Sequence, residues 1–401
     1  MRLTALQFMA ACTFIQKSES VQITLTTHLP PRMVADTLWL MTARSRGASH
    51  WVENSHCTIE QLDIDGHPVP VSHLSKSQWQ ESYVSSLRSA WLRYPHQEAK
   101  RHLTSRQLAL YQAASCLILG PISLLMRAAG LDQAAILANH LISTNLYPGW
   151  LQASMPEILW QAQQHYPDRP IVLRNLCPAV HPELFEQLKQ QGWQMIPARQ
   201  VYLCDPADPA VWQHNHVRKD ARLLANQEVE LVAASALQRD DIPALRRLFR
   251  QLFIEKHSHL NPDFSDDFFE FCLETQFLDC YALRWQGKWV GILGVYAQAD
   301  SGWMTTPLIG YDTQLPKELG IYRRLMALLL KLAKDKQMKL HYSSGAAQFK
   351  LARGGLPALE YTAVYSQHLP AVKKFSLSLF SRLLQRCAPT ILSYADRQKP
   401  G

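Results

Sequence analysis

The alternation of apolar and polar positions from residue 308 to residue 370 organises the chain. LIGY is an apolar run that predicts a strand. Leu319, Tyr322, Leu325, Met326, Leu329, Leu332 and Ala333 then recur at three and four residues, which predicts a helix with one apolar face. Pro316 suits the first turn, because the first N–H groups of a helix have no intrahelical partner. LHY predicts a second strand and the apolar run around Glu360 a third. Between them, SSGAAQFKLARGG predicts a turn in which Gly345, Gly354 and Gly355 let the backbone come close around Phe349 and Lys350. The free N–H groups of the helix start, flanked by Lys317, Arg323 and Arg324, make a seat for an anion. An ordinary strand–helix–strand unit with a solvated basic face has the same pattern.

The rest of the chain reads as a similar plan. Residues 21–27 (VQITLTT) alternate as a strand, 33–44 predict a helix, and 57–62 and 69–72 predict strands flanking a hairpin turn at Asp65-Gly66. Helices are expected over 77–94 and 104–129, and a helix or strand over 134–144. Residues 155–165 (helix), 170–176 (strand), a helix stopped by Gly192, and 195–203 (strand) follow. The stretch 140–205 thus repeats the plan of 308–370. DPADP at 205–209 breaks the chain, so domains are expected over 1–208 and 209–401. Beyond it, HNHVRKDARLL puts Arg218 and Arg222 on one helical face beside Lys219. An amphipathic helix over 240–257, a helix capped by Ser265, and strands over 279–285, 289–297 and 301–311 complete the middle. The tail predicts a basic helix whose face of Val372, Phe375, Leu379 and Leu383 is expected to dock on the domain rather than contact a membrane.

Composition narrows the class. Four hundred and one residues, 47% apolar and 18% charged, suffice for two domains with a core each. The formal charge of +8 suits an anionic partner such as coenzyme A, tRNA, a nucleotide-linked substrate or a membrane surface. Residues 317–354 hold nine Lys/Arg against two acids, which focuses that charge on the anion seat. The eight cysteines have no metal-binding or C-x-x-C spacing, which fits reduced thiols, a cytoplasmic location and no metal. Residues 107–126 carry no charge, but Gly120-Pro121 divides them, so a buried helix and a turn are expected rather than a transmembrane span. The N-terminal MRLTALQFMAACTFIQKSES reads as a strand or helix rather than a signal.

The order LIGYDT…LGIYRRLMALLLKLA…LHYSSGAAQFKLARGG…EYTAVY resembles the GNAT superfamily of acyltransferases, and within it the FemAB-like branch, whose members often carry two such domains in tandem. The resemblance implies an α/β (mixed α+β) class and a tandem GNAT-like fold with a splayed, mixed sheet in the C-terminal domain. The N-terminal copy would be degenerate or acceptor-binding. The donor's pantetheine chain would lie where two parallel strands splay, between Leu308, Ile309, Gly310 and Tyr311 on one side and 339–342 on the other. Its pyrophosphate would rest at 314–320, near Pro316, Lys317, Gly320, Arg323 and Arg324. The family's glycine-rich loop is reduced here to QLPKELG, with Gly320 alone, as in FemAB-like enzymes that use aminoacyl-tRNA. The FK pair, Phe349-Lys350, matches a pair that lies beside the reacting carbonyl in that branch. HVRKDA resembles the helix found near the join of its two domains.

Acyl transfer to an amine requires a polarised carbonyl, a neutral amine and donors for the tetrahedral oxyanion. The chain has no G-x-S-x-G elbow, so direct attack within a ternary complex is expected. Glu255, His257 and His259 are base candidates at the end of a helix, with Asp312 beyond the donor strand, and Asn261 joins them as a possible acceptor contact. Tyr342 is placed to protonate a leaving thiolate, Lys350 to meet the oxyanion, and Arg353 and Glu360 to contact substrate. These expectations describe an N-acyltransferase using acyl-CoA, acetyl-CoA first, on a small-molecule or peptide amine. The alternatives are an aminoacyl-tRNA-dependent transferase and a non-catalytic binding module. No DNA partner is expected.

Overall fold

The computed structural model describes residues 31–76, 80–101 and 105–398. The strand expected over 21–27 and the N-terminal segment lie outside these residues. Among the described residues are eleven strands: β1 (Thr58–Ile64), β2 (His67–His73), β3 (Ala135–Leu137), β4 (Ile171–Leu176), β5 (Gln194–Cys204), β6 (Glu230–Ala233), β7 (Asp279–Trp285), β8 (Lys288–Gln298), β9 (Trp303–Tyr311), β10 (Lys339–His341) and β11 (Leu356–Tyr365). Helices α1 (Pro31–Arg46), α2 (Tyr94–Arg101), α3 (Ser105–Ala128), α4 (Gly149–Ala153), α5 (Met155–His165), α6 (Pro182–Gln190) and α7 (Pro209–Gln213) accompany the first half. The second half carries α8 (Asn215–Ala225), α9 (Ile242–Arg250), α10 (Asp266–Thr275), α11 (Ile321–Asp335), α12 (Ala347–Leu351) and α13 (Ala371–Gln398).

All eleven strands share one sheet, in the order β1-β2-β3-β4-β11-β5-β10-β9-β8-β7-β6. Outwards from the central β11–β5 pair, each side has the same grammar. A parallel pair comes first within each half (β3 with β4, β9 with β10), and an antiparallel meander follows. The last strand of each half is exchanged. β5 lies against β10, and β11 against β4. The chain break at 205–209 therefore falls between β5 and α7, while the sheet runs on unbroken across it.

Alternation along the strands builds the core. On β4, Ile171 and Leu173 enter a cluster with α5 and α6 residues such as Ile158 and Leu184, while Val172 enters another with Met126, Ile196, Leu377 and Phe380. The hairpin turn is as expected, with Asp65 and Gly66 both at positive φ (49° and 79°). Ser265 caps α10, its Oγ accepting from Phe268 N–H at 3.1 Å.

Four expectations are corrected. Of the helix expected over 77–94, residues 77–79 lie outside the described residues and 82–86 are not helical, because their serines bond elsewhere: Ser85 Oγ donates to Glu81 at 2.6 Å and Ser82 Oγ to the Leu260 carbonyl at 3.2 Å. Gly120-Pro121 does not end α3, which runs through Pro121. The carbonyl deprived of a donor there belongs to Leu117, a residue 79% exposed, so water can serve it. Nor is α3 buried: Leu124 is exposed as well. In α13 the face that docks is Leu377 and Phe380, with Leu384 beside them, against Trp91, Ile196 and Val364. Val372, Phe375 and Leu379 face outward. The helix carries two adjacent apolar stripes, and only packing selects between them. β6 and α12 were not anticipated: β6 is a four-residue edge strand, and α12 occupies part of the expected glycine turn.

Candidate active site

β9 and β10 pair in parallel over only three positions: Trp303 with Lys339, Met304 with Leu340, and Thr305 with His341. The last contact toward β10 is Thr305 Oγ1 donating to the His341 carbonyl at 2.9 Å. At that point β9 bulges, since Thr305 pairs with Tyr296 of β8 but Leu308 already pairs with Gly294. Thr306 and Pro307 thus oppose Val295 alone, and Pro307 has no N–H to give a ladder. β10 follows β5 instead: Tyr342 N–H donates to the Tyr202 carbonyl at 2.8 Å, and Tyr202 N–H to the Ser343 carbonyl at 3.2 Å. Leu308, Ile309, Gly310 and Tyr311 run past this fork without a parallel partner. Gly310 is required there, because a Cβ would meet the Phe249 backbone of α9 at 2.5 Å. Tyr311, Tyr322 and Phe349 step across the open side of the fork at ring-centroid spacings of 5.8 and 4.8 Å.

The anion seat differs from the expected one. Pro316 opens a short 3₁₀ turn (Lys317–Leu319), and α11 starts at Ile321 after Gly320 in the left-handed conformation (φ 59°). Arg324 is 1% exposed and donates to the carbonyls of Leu319 (3.0 Å), Asn226 (2.9 Å) and Leu223, so it ties α11 to the end of α8. Arg323 pairs with Asp220, which is buried and also receives Arg353, each at 2.6 Å. Asp220 therefore clamps α8, α11 and the end of α12 together, and Arg353 lies 3.3 Å from the Phe349 ring centroid. Lys317 is exposed beside the turn. A shallow cleft along this clamp is lined by Trp212, Asp220, Met326, Tyr342 and Arg353.

Behind the fork lies a buried polar row across four neighbouring strands. Glu360 on β11 faces Arg199 on β5 in register and accepts from its Nε at 2.7 Å. Asn175 on β4 donates to Glu360 at 2.8 Å, and His341 Nε2 on β10 lies 3.5 Å from it. Burial alone would raise the Glu360 carboxyl, but Arg199 and His341 bring it down to about 2. Burial lowers the His341 pKa against the pull of Glu360, and Ser343 N–H donates to its Nδ1 at 3.1 Å, so a neutral ring with the proton on Nε2 fits the row. Lys350 is 3% exposed, its ammonium donating to the Ser344 carbonyl at 2.7 Å and to Ser343 at 3.3 Å, where β10 leaves the fork. Arg199 also reaches Thr144 Oγ1 at 2.8 Å, and Thr144 donates to Ser343 Oγ at 3.3 Å. Burial holds the Tyr342 phenol well above its ordinary pKa, so it stays protonated.

The structure thus gathers Lys350, Phe349, Tyr342 and Arg353 near the end of β10, while Glu360 lies in the polar row with Arg199, Asn175 and His341. The residues expected on the acceptor side stand apart from this row. Glu255, His257 and His259 are exposed on a π-helical extension of α9 and the loop after it. Asn261 is buried and donates to the Phe253 carbonyl at 2.7 Å, so it closes that extension. Lys256 lies 5.9 Å from the Tyr311 ring, at the rim of the fork. Arg174, buried on β4 and donating to the Val84 carbonyl at 2.7 Å, was not anticipated, nor were Arg199, His341 and Asp220. A charged residue inside an apolar strand run, as in IVLRNL and MIPARQVYL, was the available signal.

No family model and no curated protein matches the chain. Among solved structures, FemX aligns over 92% of this chain and 98% of its own at 8% identity and a TM-score of 0.46. L-PGS from Bacillus licheniformis aligns over 57% and 78% at 14% identity and 0.41, and a GCN5-related N-acetyltransferase from Kribbella flavida over 58% and 81% at 13% and 0.32. Likeness at this level concerns the fold alone, which rests on the strand order itself. That order sets two parallel-pair-plus-meander halves in one mixed α/β sheet, the arrangement expected of a tandem GNAT-like fold.

Proposed function

We propose that the chain is an N-acyltransferase in which an amine attacks the activated acyl group of an anionic donor directly. The observation that carries this reading is the fork: β9 and β10 pair for three residues and then part at the Thr306-Pro307 bulge, ahead of the helix start at Ile321. A narrow slot between diverging strands leaves backbone N–H and C=O groups free to hydrogen-bond an extended donor arm. Lys350, desolvated at the throat of the fork, is the residue we assign to the developing oxyanion, and the protonated Tyr342 phenol to the leaving group. Residues 209–401 would hold the donor, and residues 1–208 would supply the acceptor side through Arg199 and Thr144.

Acyl-CoA is the first donor. Aminoacyl-tRNA is the second reading, favoured by the engagement of Arg323 with Asp220 and of Arg324 with backbone carbonyls, which leaves the turn poorly equipped for a compact pyrophosphate. Thermal-shift measurements with acetyl-CoA, longer acyl-CoAs and charged tRNA separate the two, because only a ligand that binds the folded state raises Tm. A tRNA donor would also lose affinity steeply with salt. Lys350→Met should cut turnover with the stabilising donor by about a hundredfold or more while the protein stays folded. Unchanged turnover in that variant would remove Lys350 from the chemistry, and no shift with any donor would leave a binding module.

A further inference from the structure

The outward faces of α3 and α13 form an apolar surface that no other part of the described structure covers. Val372, Phe375 and Leu379 are 71%, 72% and 43% exposed, and Leu117 and Leu124 are 79% and 65% exposed. Spacings of three, four and seven residues put each set on one side of its helix. The opposite sides meet in a shared core, where Met126 and Ile122 of α3 join Leu377 and Phe380 of α13 over Ile136, Val172, Ile196 and Val364 of the sheet. Both helices therefore cover the same face of the sheet, and their outer sides belong to one face of the molecule.

We propose that this face rests on an anionic lipid bilayer. Charge selects the partner. Neither α3 nor residues 371–394 contain an Asp or Glu, whereas Arg127, Lys373, Lys374, Arg382 and Arg386 lie on these helices. Arg382 and Arg386 stand seven residues beyond Phe375 and Leu379, so they share the apolar face, and both are exposed. A second copy on this surface would bring like charges together across an apolar contact, which is unfavourable. Lipid headgroups provide both complements at once: anionic phosphate for the guanidinium groups, and an acyl boundary for Phe375, Leu379, Leu117 and Leu124. No helix among the described residues is long and apolar enough to cross a membrane, so the contact lies in the interface plane.

The test is sedimentation of the full chain with vesicles of phosphatidylcholine alone or mixed with phosphatidylglycerol. The chain should sediment with the mixed vesicles and stay in solution with the neutral ones. Phe375→Ser with Leu379→Ser should weaken binding about tenfold or more, and Arg382→Glu with Arg386→Glu should abolish the preference for anionic lipid. Trp160→Ser, at an exposed tryptophan on α5, should change nothing. Leu117→Ser with Leu124→Ser provides a second pair if the first lowers Tm. The proposal is overturned by absence of binding to the mixed vesicles, by binding that both serine pairs leave intact, or by a self-association that the serine pairs abolish while vesicles fail to compete for it.

Discussion

Glu360 shows how much one buried side chain can hold. It is 1% exposed and contacts Arg199, Asn175 and His341 on the three other central strands. With its carboxyl depressed from 4.5 to about 2, it contributes stability that is complete above about pH 4.5 and is lost as pH falls toward 2. Glu360→Gln leaves the Arg199 guanidinium buried without its counter-charge and should cost about 3–5 kcal/mol at neutral pH. Urea unfolding at pH 7 and pH 3 checks both parts, because the gap between wild type and variant should narrow at the lower pH. The strands that hold Glu360 and Arg199 could be read from their apolar runs. Their meeting could not, since 161 residues separate them.

At the scale of elements, close approach governs tolerance. α9 lies so near β9 that a Cβ on Gly310 would meet Phe249 backbone atoms, which cannot step aside. Gly310→Ala should cost about 3 kcal/mol or more. At Gly294 the neighbours are the side chains of Leu308 and Leu278, at 3.0 and 3.1 Å, and Gly294→Ala should cost about 1 kcal/mol by the same unfolding measurement. A reversed ranking would mean that α9 can shift on the sheet. Element type was legible wherever the period was clean, as for α5, β4, β7 and α11. It failed at residues 82–86, where serine hydroxyls compete for local partners; at α13 the helix was legible but its docking face was not, because the helix carries two apolar stripes.

For the whole molecule, strand exchange sets the unit of folding. β5 lies between β11 and β10, and β11 between β4 and β5, so each half would expose three unpaired strand edges if separated. Fragments 1–208 and 209–401 should each fail to fold alone, by circular dichroism and size-exclusion chromatography, and should associate when co-expressed. The intact chain should unfold in one transition. Two independent transitions, or a folded 209–401 fragment, would contradict this.

The sequence alone determined the strands and helices whose side chains repeat at a period of two or 3.6, the net positive charge of the molecule, and the resemblance carried by residues 308–365. Those are local or summed properties, set within a few residues or by counting charge. Only the tertiary structure decided which strands became neighbours, that Arg323 and Arg324 face protein rather than ligand, and that a polar row lies behind the fork. Such facts depend on packing between distant segments, where many pairings satisfy the same pattern and the one realised is the one that buries its charges in partnership.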